Sequence, residues 1–263
     1  MSKLPRPNKE LGQHFLKDKS IIEAITNDFH SECDVIIEIG PGPAILTRAL
    51  SSHNKELYVI EKDTRFNDLL LECVKEENIF FEDALKFDWQ TFLEEKKLQD
   101  KKIWLVSNLP YNVSAPLFMS FQKVHAIKFM SLMFQKEVGE KTYFKDNTKN
   151  QMGSLLAISN NYFKSSLLSK VLPGAFNPPP KVDSVVISYT RFESPRVGID
   201  QFAKFEQFLR TIFRFKRKQL GSVLKGNVDS IEDFFAKTKI KRETRAEALS
   251  LEEIYELFNL YTH

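Results

Sequence analysis

Several things are scarce in this chain. It has no apolar run long enough to cross a bilayer, and the stretch "MSKLPRPNKELGQHF" carries no apolar leader. The expected location is therefore the cytoplasm, with no membrane partner. Cysteine is nearly absent. Cys33 and Cys73 are the only two, far apart and without companions, so neither a metal quartet nor a disulfide framework can be built from them. Both are expected as buried or half-buried thiols, and no metal site is expected. Internal repeats and low-complexity segments are missing. Excess charge is small as well, at a net +3.

That charge is unevenly placed. "RFKRK" (Arg214 to Lys218) and "KTKIKRETR" (Lys237 to Arg245) gather cations late in the chain, and Lys3, Arg6 and Lys9 add more at the start. Such runs serve as solvated helix faces or as phosphate-binding surfaces. With 263 residues, 42% apolar and 28% charged, the chain has the balance of a soluble globular protein. It is long enough for one core domain plus a small appendage.

"VIIEI" (Val35 to Ile39) is a short run, apolar and β-branched apart from Glu38, that stops at Gly40. It reads as a strand buried on both faces of a parallel sheet. "LYVIE", "IFFED", "IWLVS" and "KFMSLMF" read as further strands, with helical segments at Ala44 to Ser52, "TRFNDLLLECVKE" and "GSLLAISNNYF". This alternation predicts a doubly wound α/β sheet. "SLLSKVL" and "SVVISYTRF" have no helix between them and are expected as an antiparallel pair at one edge. After about Glu193 the pattern turns helical: Phe202, Phe205, Leu209, Ile212 and Phe213 recur at helical spacing, and "SLEE" has the form of a capping box. The expected domains are 1–193 and 194–263.

"EIGPGPAILT" (Glu38 to Thr47) has the order strand, glycine turn, helix. Gly40 and Gly42 let the backbone approach a ligand. The next strand ends on Glu61, where a carboxylate can accept both hydroxyls of a ribose. A third strand end supplies Asp83, suited to an adenine amino group or to a helix cap. Together these three ends suit an adenosine. The turn lacks the third glycine of a dinucleotide fingerprint, since Pro43, Ala44 and Ile45 fill that region. A methyl donor, S-adenosylmethionine, fits better than NAD.

The fourth strand runs into Asn108-Leu109-Pro110-Tyr111. Methyl transfer to the exocyclic amine of a base would need such a turn. The amine's lone pair is delocalised into the ring, and it becomes a better nucleophile when acceptors hold both its hydrogens. The Asn108 side-chain oxygen is one acceptor, and the Leu109 carbonyl can be the other. Pro110 restricts Leu109 to an extended conformation and so aims that carbonyl. Tyr111 gives a flat face for the base.

"NLPYN", taken with "EIGPG", "VIEKD", "EDAL", "FQKEV", "FNPPPKVDS", "LGQHFL" and "RAEALS", resembles the ribosomal RNA adenine dimethyltransferase family, in its bacterial KsgA branch. The match spans nearly the whole chain. The resemblance implies a Rossmann-like methyltransferase domain at 1–193, with a mostly parallel seven-stranded sheet and an antiparallel edge. A small all-α domain that positions rRNA would occupy 194–263. It implies S-adenosylmethionine as cofactor and dimethylation of N6 on two adjacent adenines, in a hairpin loop near the 3′ end of small-subunit rRNA within an immature 30S particle. A monomer is expected.

By motif, His14, Leu16, Gly40, Glu61, Asp83 and Asn108 would contact the cofactor. Asn108, Leu109, Pro110 and Tyr111 would handle the target amine, and Phe176 would sandwich the flipped base against Tyr111. Lys181, Arg214, Lys216, Arg217 and Lys218 are candidate phosphate contacts. Two positions depart from the family: Ala44 stands where glycine is commoner, and His14 where asparagine often stands. The same turn occurs in large-subunit adenine methylases of the macrolide-resistance type. A non-catalytic assembly factor and a nicotinamide dehydrogenase are further alternatives.

Overall fold

The computed structural model describes residues 5–8, 13–144, 152–215 and 217–262. The chain forms two compact units, Met1–Glu140 with Lys164–Arg191, and Lys141–Phe163 with Phe192–His263. The second unit thus takes in a segment, 141–163, that the sequence reading places in the first domain.

Nine strands occur among the described residues: β1 (Phe15–Leu16), β2 (Val35–Ile39), β3 (Glu56–Glu61), β4 (Ile79–Phe81), β5 (Ile103–Asn108), β6 (Ile127–Gln135), β7 (Phe163–Val171), β8 (Phe176–Asn177) and β9 (Ser184–Arg191). Seven form one sheet in the order β4-β3-β2-β5-β6-β9-β7, and β1 and β8 pair as a separate two-stranded ribbon. Pairing is parallel from β4 through β6, while β9 runs antiparallel to β6. The two helix-less strands, β7 and β9, are neighbours at that edge. All five residues of β2 are buried, as expected of a strand covered on both faces.

The chain leaves β2 toward β3 and β4, then returns to lay β5 on the other side of β2. This reversal opens a crevice at the carboxyl ends of β2 and β5, the usual ligand position in such sheets. A hydrogen bond from the Ser107 hydroxyl to the Ile39 carbonyl, 2.7 Å, ties these two strand ends together. Below the crevice, Trp104 Nε1–H donates to Ser131 Oγ at 2.9 Å. Ser131 and Ser188 each donate to Asp28 Oδ2 at 2.6 Å. Buried Arg191 donates to the carbonyls of Gln122, Val124 and Ile127.

In the second unit, Asn161 donates to the Val197 carbonyl and accepts from the Val197 N–H, at 2.9 and 3.0 Å, joining that unit's two segments. Helix Phe202–Phe213 buries Phe202, Phe205, Phe208, Leu209 and Ile212. Phe205 and Phe208 lie against Phe258 of helix Leu251–Thr262. That helix opens on the expected capping box: Ser250 N–H donates to Glu253 Oε2 at 2.7 Å, and Glu253 N–H returns a bond to Ser250 Oγ at 3.2 Å. Cys33 is buried and Cys73 half-buried, both free thiols. Among the described residues, no helix is long and apolar enough to cross a membrane.

Candidate active site

A cavity of about 240 Å3 sits at the crevice, walled by the ends of β1 to β5 and the turns after them. His14, Leu16, Gly40, Glu61, Asp83, Asn108, Leu109, Pro110 and Tyr111 all line it. Every cofactor candidate named from sequence is therefore gathered at one place.

The glycine turn is shaped by backbone conformation. Gly40 and Gly42 have φ of +66° and +53°, and neither would meet a close obstacle at a Cβ. Ala44 adopts the same left-handed region, with φ of 61°, at a steric cost of about 1–2 kcal/mol that glycine would avoid. This is the physical reason a glycine suits that position. The turn is held by Glu61, whose Oε2 accepts from Gly42 N–H and whose Oε1 accepts from Asp63 N–H, both at 2.8 Å. Burial pushes the Glu61 carboxyl above its ordinary range, and those N–H groups pull it back.

Glu38 belongs to the turn motif, and its sequence context discloses no role for it. It is 1% exposed and reaches the cavity wall, and its Oε2 has no hydrogen-bond partner. Burial pushes its carboxyl up to about 8. Below that value burial keeps the carboxyl neutral. The one signal for it was an acid inside an otherwise apolar strand. Asp83 receives Lys62 Nζ at 2.9 Å and Leu85 N–H at 3.0 Å. The Lys62 contact, foremost, holds its carboxyl below the usual range.

At the end of β5, Leu109 N–H donates to the Met133 carbonyl of β6, and Val113 N–H donates to the Pro110 carbonyl, closing the Pro110–Val113 turn. Asn108 Nδ2–H donates to the His14 carbonyl at 3.2 Å, leaving its oxygen as the other end of the amide. Tyr111 OH meets Ser184 Oγ at 2.7 Å, and burial raises the phenol's pKa. Ser184 is 1% exposed and begins β9. It was visible in "KVDS", but nothing local disclosed its partner.

Phe176 is 1% exposed, lies in the core cluster with Phe15 and Leu16, and is not among the residues that line the cavity. The ring stacked on Tyr111 is that of His14, at 5.7 Å between centroids. Lys181, Arg214, Arg217 and Lys218 are exposed, and Lys216 lies outside the described residues. Arg214 and Lys218 flank the exposed ring of Phe215 at 5.2 and 4.5 Å.

Residues 5–263 match the family model described as "Ribosomal RNA adenine dimethylase". The chain belongs to this family. Relatives in the rRNA adenine dimethylase family include the "Ribosomal RNA small subunit methyltransferase A" of Clostridium botulinum (strain Loch Maree), 39% identical over 95% of this chain and 92% of that one. The protein of that name in Syntrophotalea carbinolica is 35% identical over 97% of both. Among solved structures, a dimethyladenosine transferase from Plasmodium falciparum superposes with a TM-score of 0.71 at 22% identity, covering 95% of this chain and 98% of that one. The 23S rRNA methyltransferase ErmE gives 0.69 at 19%, covering 95% and 100%. These likenesses show the Rossmann-like methyltransferase fold. Family membership makes the chain an rRNA adenine dimethyltransferase.

Proposed function

We propose that this dimethyltransferase uses S-adenosylmethionine to dimethylate N6 of two adjacent adenines in the hairpin loop near the 3′ end of small-subunit rRNA. It would act on an immature 30S particle, as a cytoplasmic monomer, and so contribute to subunit biogenesis. The names of the relatives above favour the small subunit over the large.

The residues present fit the cofactor. Glu61 and Asp83 stand at successive strand ends as acceptors, and Gly40 and Gly42 bring backbone close. Glu38 offers an unpartnered buried oxygen, and the His14 and Leu16 segment forms part of the wall. When bound, S-adenosylmethionine supplies a methyl group already activated on a sulfonium. What the protein adds is alignment.

The observation that carries this reading is the Asn108 amide. Its nitrogen is spent on the His14 carbonyl, so its oxygen is the end available to hold one hydrogen of the adenine amine. The Leu109 carbonyl, aimed by Pro110, holds the other. Held this way, the amine nitrogen pyramidalises and its lone pair points along the transfer line. Its proton is lost late, to solvent, so no strong base is needed. Tyr111 serves as the stacking platform for a base that has left its stack. A loop target lowers the cost of that extrusion. Lys181, Arg214, Lys216, Arg217 and Lys218 are proposed as phosphate contacts, and the 194–263 region as the rRNA-positioning domain.

The test is methyl transfer from tritiated S-adenosylmethionine onto under-methylated small subunits, compared with naked rRNA and large subunits. Label in two adjacent small-subunit adenines supports the reading. Label confined to large-subunit RNA, or none, removes it.

A further inference from the structure

The segment Gln13–Leu16 is fastened at three corners of the site. Gln13 Nε2–H donates to Asp63 Oδ2 at 2.9 Å, beside the cofactor wall. The His14 carbonyl receives Asn108 at 3.2 Å. Phe15 and Leu16 pair with Asn177 and Phe176, and Lys17 N–H donates to the Ala175 carbonyl at 2.8 Å. The His14 side chain is held separately. Its Nδ1 lies 2.8 Å from the Pro178 carbonyl oxygen, which can only accept, so Nδ1 carries the hydrogen. Its ring lies on Tyr111 with 5.7 Å between centroids and 26° between planes.

A purine sandwiched between two rings needs a separation of roughly 7 Å, twice the optimal carbon contact distance. The gap between His14 and Tyr111 is too narrow by more than an ångström. The face of Tyr111 that His14 covers is therefore closed to a base while His14 stays there.

We propose that the His14 imidazole is a stand-in for the target adenine: it covers one face of Tyr111 in the RNA-free protein and swings off when the base enters. This rests on the reading of Tyr111 as the base platform. The exchange needs no backbone movement. Asn108 is held by the main-chain carbonyl of His14, so rotation of the side chain clears Tyr111 and leaves the amide oxygen aimed as before. The stand-in also sets a threshold. An entering ring must replace one hydrogen bond and one stacked pair, which a purine, with a larger face than imidazole, does more readily than a pyrimidine.

The experiment uses the full chain, ring-labelled histidine and the small-subunit hairpin RNA with an isotope-labelled adenine at a target position. Free protein should show His14 ring signals displaced by the Tyr111 ring current, identified by their loss in His14→Ala. Saturating RNA should move those signals to ordinary positions while the labelled adenine's ring signals shift. His14→Ala should bind the hairpin about five- to tenfold more tightly, the scale of one net hydrogen bond plus a stacked pair. His14→Asn carries the same test if the alanine variant folds poorly. If the base signal changes while the His14 signals stay fixed, the stand-in idea fails and the platform reading survives. If the base signal never changes, both fail.

Discussion

Asn108 and His14 lie far apart in sequence, yet the side-chain nitrogen of one donates to the main-chain oxygen of the other at 3.2 Å. An amide can face a cavity with a donor or an acceptor. This bond removes the choice, because its nitrogen is already committed. Asn108→Ala should lower methyl transfer onto under-methylated small subunits by on the order of 100-fold or more, with RNA binding kept. Asn108→Asp should be no better, because a carboxylate cannot donate to His14. Near-normal single-turnover rates in the aspartate variant would show that the anchor is unnecessary.

The buried acid of the glycine turn predicts a pH dependence. Glu38 is pushed from an ordinary 4.5 up to about 8. Between those values the native state keeps a proton that the unfolded chain releases. Its contribution is thus fully present below about pH 4.5 and is lost as pH rises to about 8, by on the order of a few kcal/mol. Glu61 is raised as well and acts in the same direction. Asp63, lowered to about 2, acts only in acid, where stability falls as it protonates. Ligand-free protein should therefore lose thermal stability between pH 5 and 8, and Glu38→Gln should flatten that slope in a melting series.

Glu61 serves two backbone donors at once, Gly42 and Asp63. A glutamine there sets an NH2 group against one of them. Glu61→Gln should lower stability by about 1–3 kcal/mol, the cost of a buried donor left unpaired. Calorimetric affinity for S-adenosylmethionine should fall with it, and unchanged affinity would remove Glu61 from the cofactor contacts.

Tyr111 and Ser184 form one unit through their hydroxyls. Ser184→Ala and Tyr111→Phe each delete that bond, so the double variant should cost little more than either single one. A double-mutant cycle on methyl-transfer rate reads this directly, and simple additivity would show that Ser184 does not position the ring.

Arg191 is 9% exposed and donates to three carbonyls. Lysine cannot span three acceptors with a planar fork. Arg191→Lys should destabilise the first unit by about 2–4 kcal/mol in denaturant unfolding, and Arg191→Met by more.

Much of this was readable from the chain. "VIIEI" reads as a strand covered on both faces, and the structure buries all five of its residues. The strand-end positions of Gly40, Glu61, Asp83 and Asn108 followed from the α/β alternation, since parallel strands bring their carboxyl ends to one edge. Other features had no local signal. The Phe15–Leu16 ribbon with Phe176–Asn177 joins distant segments, and two-residue strands leave no periodicity to read. The burial of Phe176, the stacking of His14 on Tyr111 and the grouping of 141–163 with the second unit arise the same way. Sequence alone determined which elements form and which residues stand at the strand ends, because those depend on spacing within one element. Only the tertiary structure decided which partner takes the Asn108 nitrogen and which ring covers Tyr111. Those depend on chain segments brought together by closure of the whole fold.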